Sequence, residues 1–289
     1  SKEYGKQDID KAIYYLTLAA NQNNHIAQHL LGTIYIFPEY DKQDINKGIH
    51  YISISANQNN IKSQILLGII YSSDKFSKRD INKAIYYFQL AADQNDMYAQ
   101  YALGNIYSYE CYGKLDINKA IYYYTLSAKQ YCPEALYQLG EIYYNGGKFD
   151  HDINKAIYYY SLAAKLNHVG ALYSLGYIYY EGKDTPRDIN QTNKYLTLAS
   201  NLNFALAQYF LGLIFYNGKY IEMDIHKSLY YFTLAANQNF VKAQFSLGLI
   251  FYEGKYIEKD INKSIHYFTL AANQKYRNAV LSWIKLYFG

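Results

Sequence analysis

Two histidines, His25 and His29, stand four residues apart, a spacing at which one helical face can present two imidazoles to a zinc ion. No acidic or cysteine partner lies at ligand spacing nearby. The positions equivalent to His29 further along are Tyr101, Tyr137, Tyr173 and Tyr209, an aromatic column. The pair therefore reads as packed or surface histidines, and no metal is expected. His50, His151, His168, His226 and His266 are scattered and suggest no Ser/His/Asp or Cys/His set. Cys111 and Cys132 occupy unrelated positions, so they do not form a disulfide framework and point to a reducing, intracellular compartment. No G-x-x-x-x-G-K-[ST] loop exists to cradle phosphates, and no cofactor is expected. Asn190–Thr192 and Asn262–Ser264 spell glycosylation sequons, but both fall in a helical first turn of an Asn-rich chain and read as coincidence. A net charge of +4 over 289 residues carries no nucleic-acid footprint. On these residues the chain is not expected to be an enzyme.

The elements that would position any chemistry follow one repeated plan. "DINKAIYYYTLSAKQ" from Asp116 recurs as "DIDKAIYYLTLAANQ" from Asp8 and "DINKAIYYYSLAAKL" from Asp152. The aspartate returns every 36 residues, at Asp8, Asp44, Asp80, Asp116, Asp152, Asp188, Asp224 and Asp260. Asp is a good helix N-cap because its carboxylate accepts the free backbone N–H groups of the first turn. Behind Asp116, residues Ile117, Ala120, Ile121, Tyr124 and Ser127–Ala128 fall on one apolar stripe. Lys119 and its counterparts Lys11, Lys47, Lys83, Lys155, Lys227 and Lys263 lie off that stripe, on a solvated face. Asn23, Asn59, Asn95, Asn167, Asn203 and Asn239 suit the left-handed conformation that closes this first helix.

A second helix follows in each unit, for example "VGALYSLGYIYY" from Val169. Seven units place a glycine in its middle: Gly32, Gly68, Gly104, Gly140, Gly176, Gly212 and Gly248. Mid-helix glycine is about 1 kcal/mol worse than alanine, so close approach of a neighbouring helix is expected there. Small residues such as Ala120, Ala128 and Ala135 agree with that. Gly146, Gly182, Gly218 and Gly254 should cap the second helix, whereas Pro38, Asp74 and Glu110 hold that place in the first three units and predict different exits. The opening "SKEYGKQ" reads as the tail of an inter-repeat loop, and the chain is expected to be a fragment of a longer precursor or a longer array. The apolar fraction of 51% excludes disorder. No run approaches the roughly 18 apolar residues of a membrane helix, so a soluble protein without membrane insertion is expected. The 39 tyrosines keep apolar bulk while asking for water or an acceptor at each hydroxyl.

The pattern A-x-x-x-L-G-x-x-Y, then Y-x-G, then D-x-x-K-A, carried here by Ala171, Leu175, Gly176, Tyr179, Tyr180, Gly182 and Asp188, resembles the Sel1-like repeat, a relative of the tetratricopeptide repeat. The resemblance runs through all eight copies, as one array over residues 1–289. Two units depart from it: "DINQTNKYLTLAS" loses the lysine and an apolar residue at Asn193, and Trp283–Ile284 stand where Leu–Gly is expected. It implies an all-α, right-handed α/α superhelical solenoid of eight helix-turn-helix repeats, about sixteen helices, elongated and monomeric, with the second helices lining a concave face.

It also implies a function, that of a non-catalytic scaffold or adaptor holding another protein, as an extended peptide or helix, in the groove. Two columns of the second helix vary inside the constant frame, the first being Thr33, Ile69, Asn105, Glu141, Tyr177, Leu213 and Leu249. The second is Leu30, Leu66, Ala102, Gln138, Ser174, Phe210 and Ser246. Such variation fits either a recognition surface or drift at solvated positions. Aromatic ladders run between them: Tyr101, Tyr137, Tyr173, Tyr209, Phe245, and Tyr144, Tyr180, Tyr216, Tyr252. Inter-repeat packing explains such ladders, with an exposed edge that grips a ligand as an addition. The candidate groove is Tyr173, Tyr177, Tyr180, Tyr209, Phe210, Leu213, Tyr216, Phe245, Leu249 and Tyr252. RNA binding is the alternative, but Lys62, Lys242 and Lys285 are isolated where phosphates would need a basic face. A repeat-borne hydrolase is a third reading, and no residue set supports it.

Overall fold

The computed structural model describes residues 2–76, 78–146, 151–277 and 281. Among them are fifteen α-helices and no strand. The first helices of the repeats are α1 (Lys2–Asn21), α3 (Ile45–Asn57), α5 (Ile81–Asp93), α7 (Ile117–Lys129), α9 (Ile153–Lys165), α11 (Ile189–Asn201), α13 (Ile225–Asn237) and α15 (Ile261–Asn273). The second helices are α2 (His25–Ile36), α4 (Ile61–Ser72), α6 (Met97–Ser108), α8 (Pro133–Asn145), α10 (Val169–Glu181), α12 (Ala205–Asn217) and α14 (Val241–Glu253). Trp283, Ile284 and Lys285, with the sixteenth helix expected around them, lie outside the described residues. Packing divides the chain into two units, Ser1–Leu139 and Gly140–Gly289, and one local plan recurs inside each.

The aspartates start the helices as expected. Oδ1 of Asp44, Asp80, Asp116, Asp152, Asp188, Asp224 and Asp260 accepts the backbone N–H three residues on, at 2.9–3.1 Å. Their own N–H groups donate backwards to the second helix of the preceding repeat, as from Asp80 to the Tyr71 carbonyl at 2.8 Å and from Asp224 to the Phe215 carbonyl at 3.0 Å. Asp8 is the exception, because α1 already begins at Lys2 and holds Asp8 in its interior. The opening residues from Lys2 are thus helix, not the loop tail that their composition suggests.

The lysines three residues after the caps are exposed, as expected, yet they are not idle. Lys83, Lys119, Lys155, Lys227 and Lys263 lie 3.1–3.9 Å from their Asp carboxylates. Each also stands over the ring of Tyr71, Tyr107, Tyr143, Phe215 or Phe251 at 5.0–5.2 Å. That ring in turn stacks on an aromatic residue of the next helix. The pairs Tyr35–Tyr51, Tyr71–Tyr87, Tyr107–Tyr123, Tyr143–Tyr159, Tyr179–Tyr195, Phe215–Tyr231 and Phe251–Tyr267 have centroids 5.7–6.2 Å apart and lie within 13° of parallel. Offset stacking of this kind adds about 0.5–1.5 kcal/mol beyond area burial. Much of the tyrosine surplus therefore belongs to the joints between repeats.

These caps contribute to the acid sensitivity of the fold. The backbone N–H of Lys155 and then the lysine ammonium hold the Asp152 carboxyl below its ordinary value, and Asp224 and Asp260 are depressed in the same way by Lys227 and Lys263. A depressed carboxyl binds fewer protons in the folded state. Its contribution is present above the unfolded value of about 3.9 and is lost as pH falls through the folded value. Melting followed by circular dichroism should be level from pH 7 to 5 and decline below about pH 4. Asp152→Asn, which keeps an acceptor without the charge, should make that decline shallower. An unchanged acid limb in the variant would remove Asp152 from the account.

Helix ends follow the expected residues. Asn23, Asn59, Asn95, Asn167, Asn203 and Asn239 all have φ between 60° and 63°, and Tyr131 and Lys275 adopt the same conformation in the remaining repeats. Gly146, Gly182, Gly218 and Gly254 close α8, α10, α12 and α14 with φ of 60–72°. In the first three repeats the exits differ, as Pro38, Asp74 and Glu110 foretell: each opens a short 3-10 turn.

The mid-helix glycines do mark close approach, and what approaches is a large side chain of the following repeat. A Cβ on Gly104 would stand 2.4 Å from the ring of Tyr124, one on Gly140 2.5 Å from Tyr160, and one on Gly248 2.5 Å from Phe268. Ile52, Phe88, Leu196 and Phe232 fill the same place against Gly32, Gly68, Gly176 and Gly212. All seven of these side chains are at most 2% exposed.

One polar device crosses the joints. Gln28, Gln64, Gln100, Gln208 and Gln244 are buried in second helices, and their Oε1 atoms accept from Nε2 of Gln58, Gln94, Gln130, Gln238 and Gln274 at 2.7–2.9 Å. In four of them, Gln28, Gln64, Gln208 and Gln244, the buried Nε2 donates to a carbonyl of the first helix of the same repeat. In the sequence the equivalent positions of the remaining repeats are leucines, Leu136 and Leu166, then Leu172 and Leu202. Both positions change together in the sequence, and no such pair thirty residues apart mixes the two kinds.

Candidate binding groove

The residues that invited a catalytic reading are committed elsewhere. His29 Nδ1 lies 2.9 Å from Ser63 Oγ, whose proton goes to Ser55 Oγ at 2.8 Å, and Ser55 donates to the His25 carbonyl at 2.6 Å. Ser63 can then only accept from His29, which places the imidazole proton on Nδ1. Burial, with Lys62 nearby, pushes the His29 pKa down. His25 instead meets the Asn60 amide at 2.9 Å. No group of three metal-ligating side chains assembles among the described residues. Cys111 and Cys132 are both free thiols, the first exposed and the second buried. The sequon hydroxyls are structural: Thr192 donates to the Asp188 carbonyl and Ser264 to the Gly248 carbonyl, each at 2.9 Å.

The variable column has a physical partner. Tyr124 donates to Asn105 Oδ1 at 2.8 Å, and Tyr160 donates to Glu141 Oε1 at 2.6 Å. Burial raises the Tyr124 pKa, so its hydroxyl stays protonated and needs an acceptor. Where the opposing residue is Phe232, the column holds Leu213, which packs against the Phe232 core. Part of the column's variation is thus neither drift nor recognition. It matches each residue to the ring that the next repeat presents.

The ten candidate residues separate into four groups, all within α10, α12 and α14. Tyr173, Tyr177 and Tyr180 surround Phe210, with centroids 6.0, 5.7 and 5.1 Å from its ring. Tyr177 donates to Glu181 Oε1, and that bond, with burial, pushes its phenol up to about 12. Tyr209 and Phe245 turn into the joints: Tyr209 packs on Phe232 and Phe240 at 5.6 and 5.1 Å, Phe245 on Phe268 and Tyr276 at 5.7 and 5.3 Å. Leu213, Tyr216 and Leu249 line a half-open cavity of about 160 Å³, with Phe232 and Ile250 among its lining and Asn217, Ser246 and Glu253 as its polar members. Tyr252 lies outside these clusters, 42% exposed, with Lys259 over its ring at 5.0 Å.

Sequence reasoning missed Phe204 and Phe240. They occupy the N-cap positions of α12 and α14, where Asn24, Asn60 and Asp96 cap α2, α4 and α6 with side-chain hydrogen bonds. The two phenylalanines make no such bond and pack instead on Tyr173 and Tyr209. The Asn-to-Phe change along one column was the available signal.

Helix pairs repeated in register, with no strand among the described residues, define an all-α repeat solenoid. The Sel1 repeat model matches residues 2–24, 25–60, 61–96, 98–132, 133–168, 169–204, 205–240 and 241–276, and the chain belongs to the Sel1-repeat family. Members of this family generally act as protein-interaction scaffolds and are typically non-enzymatic. A Sel1 repeat protein from Oxalobacter formigenes is similar in structure, with a TM-score of 0.83 and 28% identity over 97% of this chain and 81% of that one. So is c5321, a protective antigen of uropathogenic Escherichia coli strains with an SLR fold, with a TM-score of 0.82 and 25% identity over 95% of this chain. The match spans 59% of the E. coli protein's length. No curated protein matches the chain. No helix among the described residues is long and apolar enough to cross a membrane.

Proposed function

We propose that the chain is a non-catalytic scaffold that holds a segment of another protein, an extended peptide or a helix, along the second-helix face of α10, α12 and α14. The observation that carries this reading is the half-open apolar cavity beside the Phe210 cluster. Leu213, Tyr216 and Leu249 keep part of their surface uncovered there, although the frame around them is fully packed. Binding energy concentrates on such aliphatic and aromatic anchors, commonly 2 kcal/mol or more for a central residue.

The test is Leu213→Glu with Leu249→Glu. Both positions are half-buried, so the carboxylates can reach water and the helical circular dichroism should persist. A partner identified by mass spectrometry after capture from the native source should bind the double variant at least tenfold more weakly, about 1.4 kcal/mol. Undiminished binding by the folded variant would place recognition on another face.

A further inference from the structure

The cavity between α12 and α14 has an occupied counterpart one repeat earlier in the same unit. Advancing by 36 residues carries Tyr177 to Leu213, Tyr180 to Tyr216, Leu196 to Phe232, Ile214 to Ile250 and Phe210 to Ser246. In the earlier joint the Phe210 ring fills the space, set edge-on to Tyr180 at 5.1 Å and 77° and lying 5.7 Å from Tyr177. In the later joint Ser246 stops short, and the walls that would hold a ring stand open as the cavity of about 160 Å³. Even the far side of the tyrosine is the same: Tyr180 has Tyr220 against it at 5.4 Å, and Tyr216 has Tyr256 at 6.0 Å.

We propose that this slot, lined by Leu213, Tyr216 and Leu249, takes a phenylalanine side chain of the bound segment, which sits where the chain's own Phe210 sits one repeat before. The proposal rests on the groove reading above and names the anchor residue it would select. Size agrees, since apolar cavities of roughly 150 Å³ accept a benzene ring. The internal counterpart selects phenylalanine, the residue type that occupies the same place, as Phe210, one repeat earlier. Phe232 and Ile250, 1% and 6% exposed, offer no acceptor to a buried hydroxyl, and an unpaired hydroxyl is penalised in an apolar site. The hydroxyls in the lining are those of Ser246 and Tyr216, set around this apolar floor. Asn217 and Glu253 leave the entrance polar, so the ring enters while its backbone stays wet.

Ser246→Phe supplies the ring from within, as Phe210 does. The probe is 4-fluorotoluene, followed by fluorine NMR on the full chain, with the Leu213 and Leu249 methyl signals observed in parallel. Saturable binding to the wild type that moves those methyls, weakened at least tenfold in a Ser246→Phe variant that melts no lower than wild type, supports the slot. Absence of saturable binding to the wild type overturns it, as does equal binding by the folded variant. Ser246→Leu, which fills the space only in part, should fall between the two and serves should the phenylalanine variant not fold. The groove reading fails separately. Fragment binding that Ser246→Phe removes, with full partner binding by Leu213→Glu/Leu249→Glu, leaves a ring-binding slot but overturns its role as the anchor together with the groove. Full partner binding by folded Ser246→Phe, with loss in the double glutamate variant, overturns the slot as the anchor and keeps the groove.

Discussion

Replacing Gly212 by leucine should lower stability by more than about 3 kcal/mol, while Gly176→Ala should stay within about 1 kcal/mol of wild type. A Cβ at 212 would stand 2.5 and 2.6 Å from Cδ1 and Cε1 of Phe232 and 3.0 Å from Cγ. That ring is 1% exposed and packed on Tyr209, its centroid 5.6 Å away, so it has little room to retreat without opening the joint. Overpacking of this kind costs roughly 1–3 kcal/mol, and leucine brings three further carbons. The Gly212 carbonyl also accepts from Ser228 Oγ at 2.9 Å, a buried bond that a displaced helix would stretch. At Gly176 the nearest atoms are Cγ and Cδ2 of Leu196, at 2.7 and 2.8 Å. These atoms belong to a branched aliphatic side chain rather than a rigid ring, with the Leu196 backbone nitrogen next at 3.4 Å. Alanine there also gains about 1 kcal/mol of helix propensity, which offsets the crowding. Denaturant unfolding of both variants checks the pair. Equal losses would mean that the ring opposite the glycine is not what sets the penalty.

The second large effect is expected at a glutamine joint. Gln238→Leu removes the donor at 2.7 Å from Gln208 Oε1, and Gln208 is only 1% exposed. An acceptor stranded in that position costs about 1–3 kcal/mol. Adding Gln208→Leu should recover most of the loss, because it removes the stranded amide, and the Ser200 carbonyl that loses its Gln208 donor keeps the Asn203 N–H at 2.9 Å. One repeat earlier the sequence holds Leu172 and Leu202 at these two positions. A double-mutant cycle in thermal or denaturant unfolding should therefore give a coupling of about 1 kcal/mol or more. Additive losses would show that the two glutamines act independently.

The frame was legible because each of its rules depends on one residue and its immediate backbone. Asp44 and its successors cap, Asn59 turns left-handed, Gly182 closes a helix, and each needs only local geometry. Asp8 escaped the rule because α1 continues ahead of it, and composition alone does not separate a cap from an interior position. Devices that join two repeats were harder to see. The stacking of Tyr71 on Tyr87 and the pairing of Gln64 with Gln94 require knowing which helices face one another. Yet the matched exchange of glutamine for leucine was present in the sequence as a signal at fixed separation. The candidate groove was legible as a set of columns but not as a set of roles. The residues there looked alike in type, whereas Tyr209 faces a joint, Tyr252 lies at the surface, and Leu213 and Leu249 frame an open slot.

The glutamine and leucine couples also bear on how such an array can be rearranged at the level of its gene. Each glutamine couple ties a second helix to the first helix of the next repeat, as from Gln28 to Gln58, and the leucines Leu172 and Leu202 stand at the equivalent positions of the sequence. A recombination breakpoint in the linker before an aspartate separates the two members and sets glutamine against leucine whenever the joined repeats differ in kind. A breakpoint in the short stretches Gln58–Gln64, Leu166–Leu172 or Gln238–Gln244 lies between successive couples and moves each one whole. The inheritable module is then a second helix together with the first helix that follows it, which are also the helices packed most extensively on one another. The repeat matches from residues 61, 169 and 241 begin inside those same stretches. Duplications that survive should have their seams there, one helix out of phase with the aspartates that make the repeat visible to the eye.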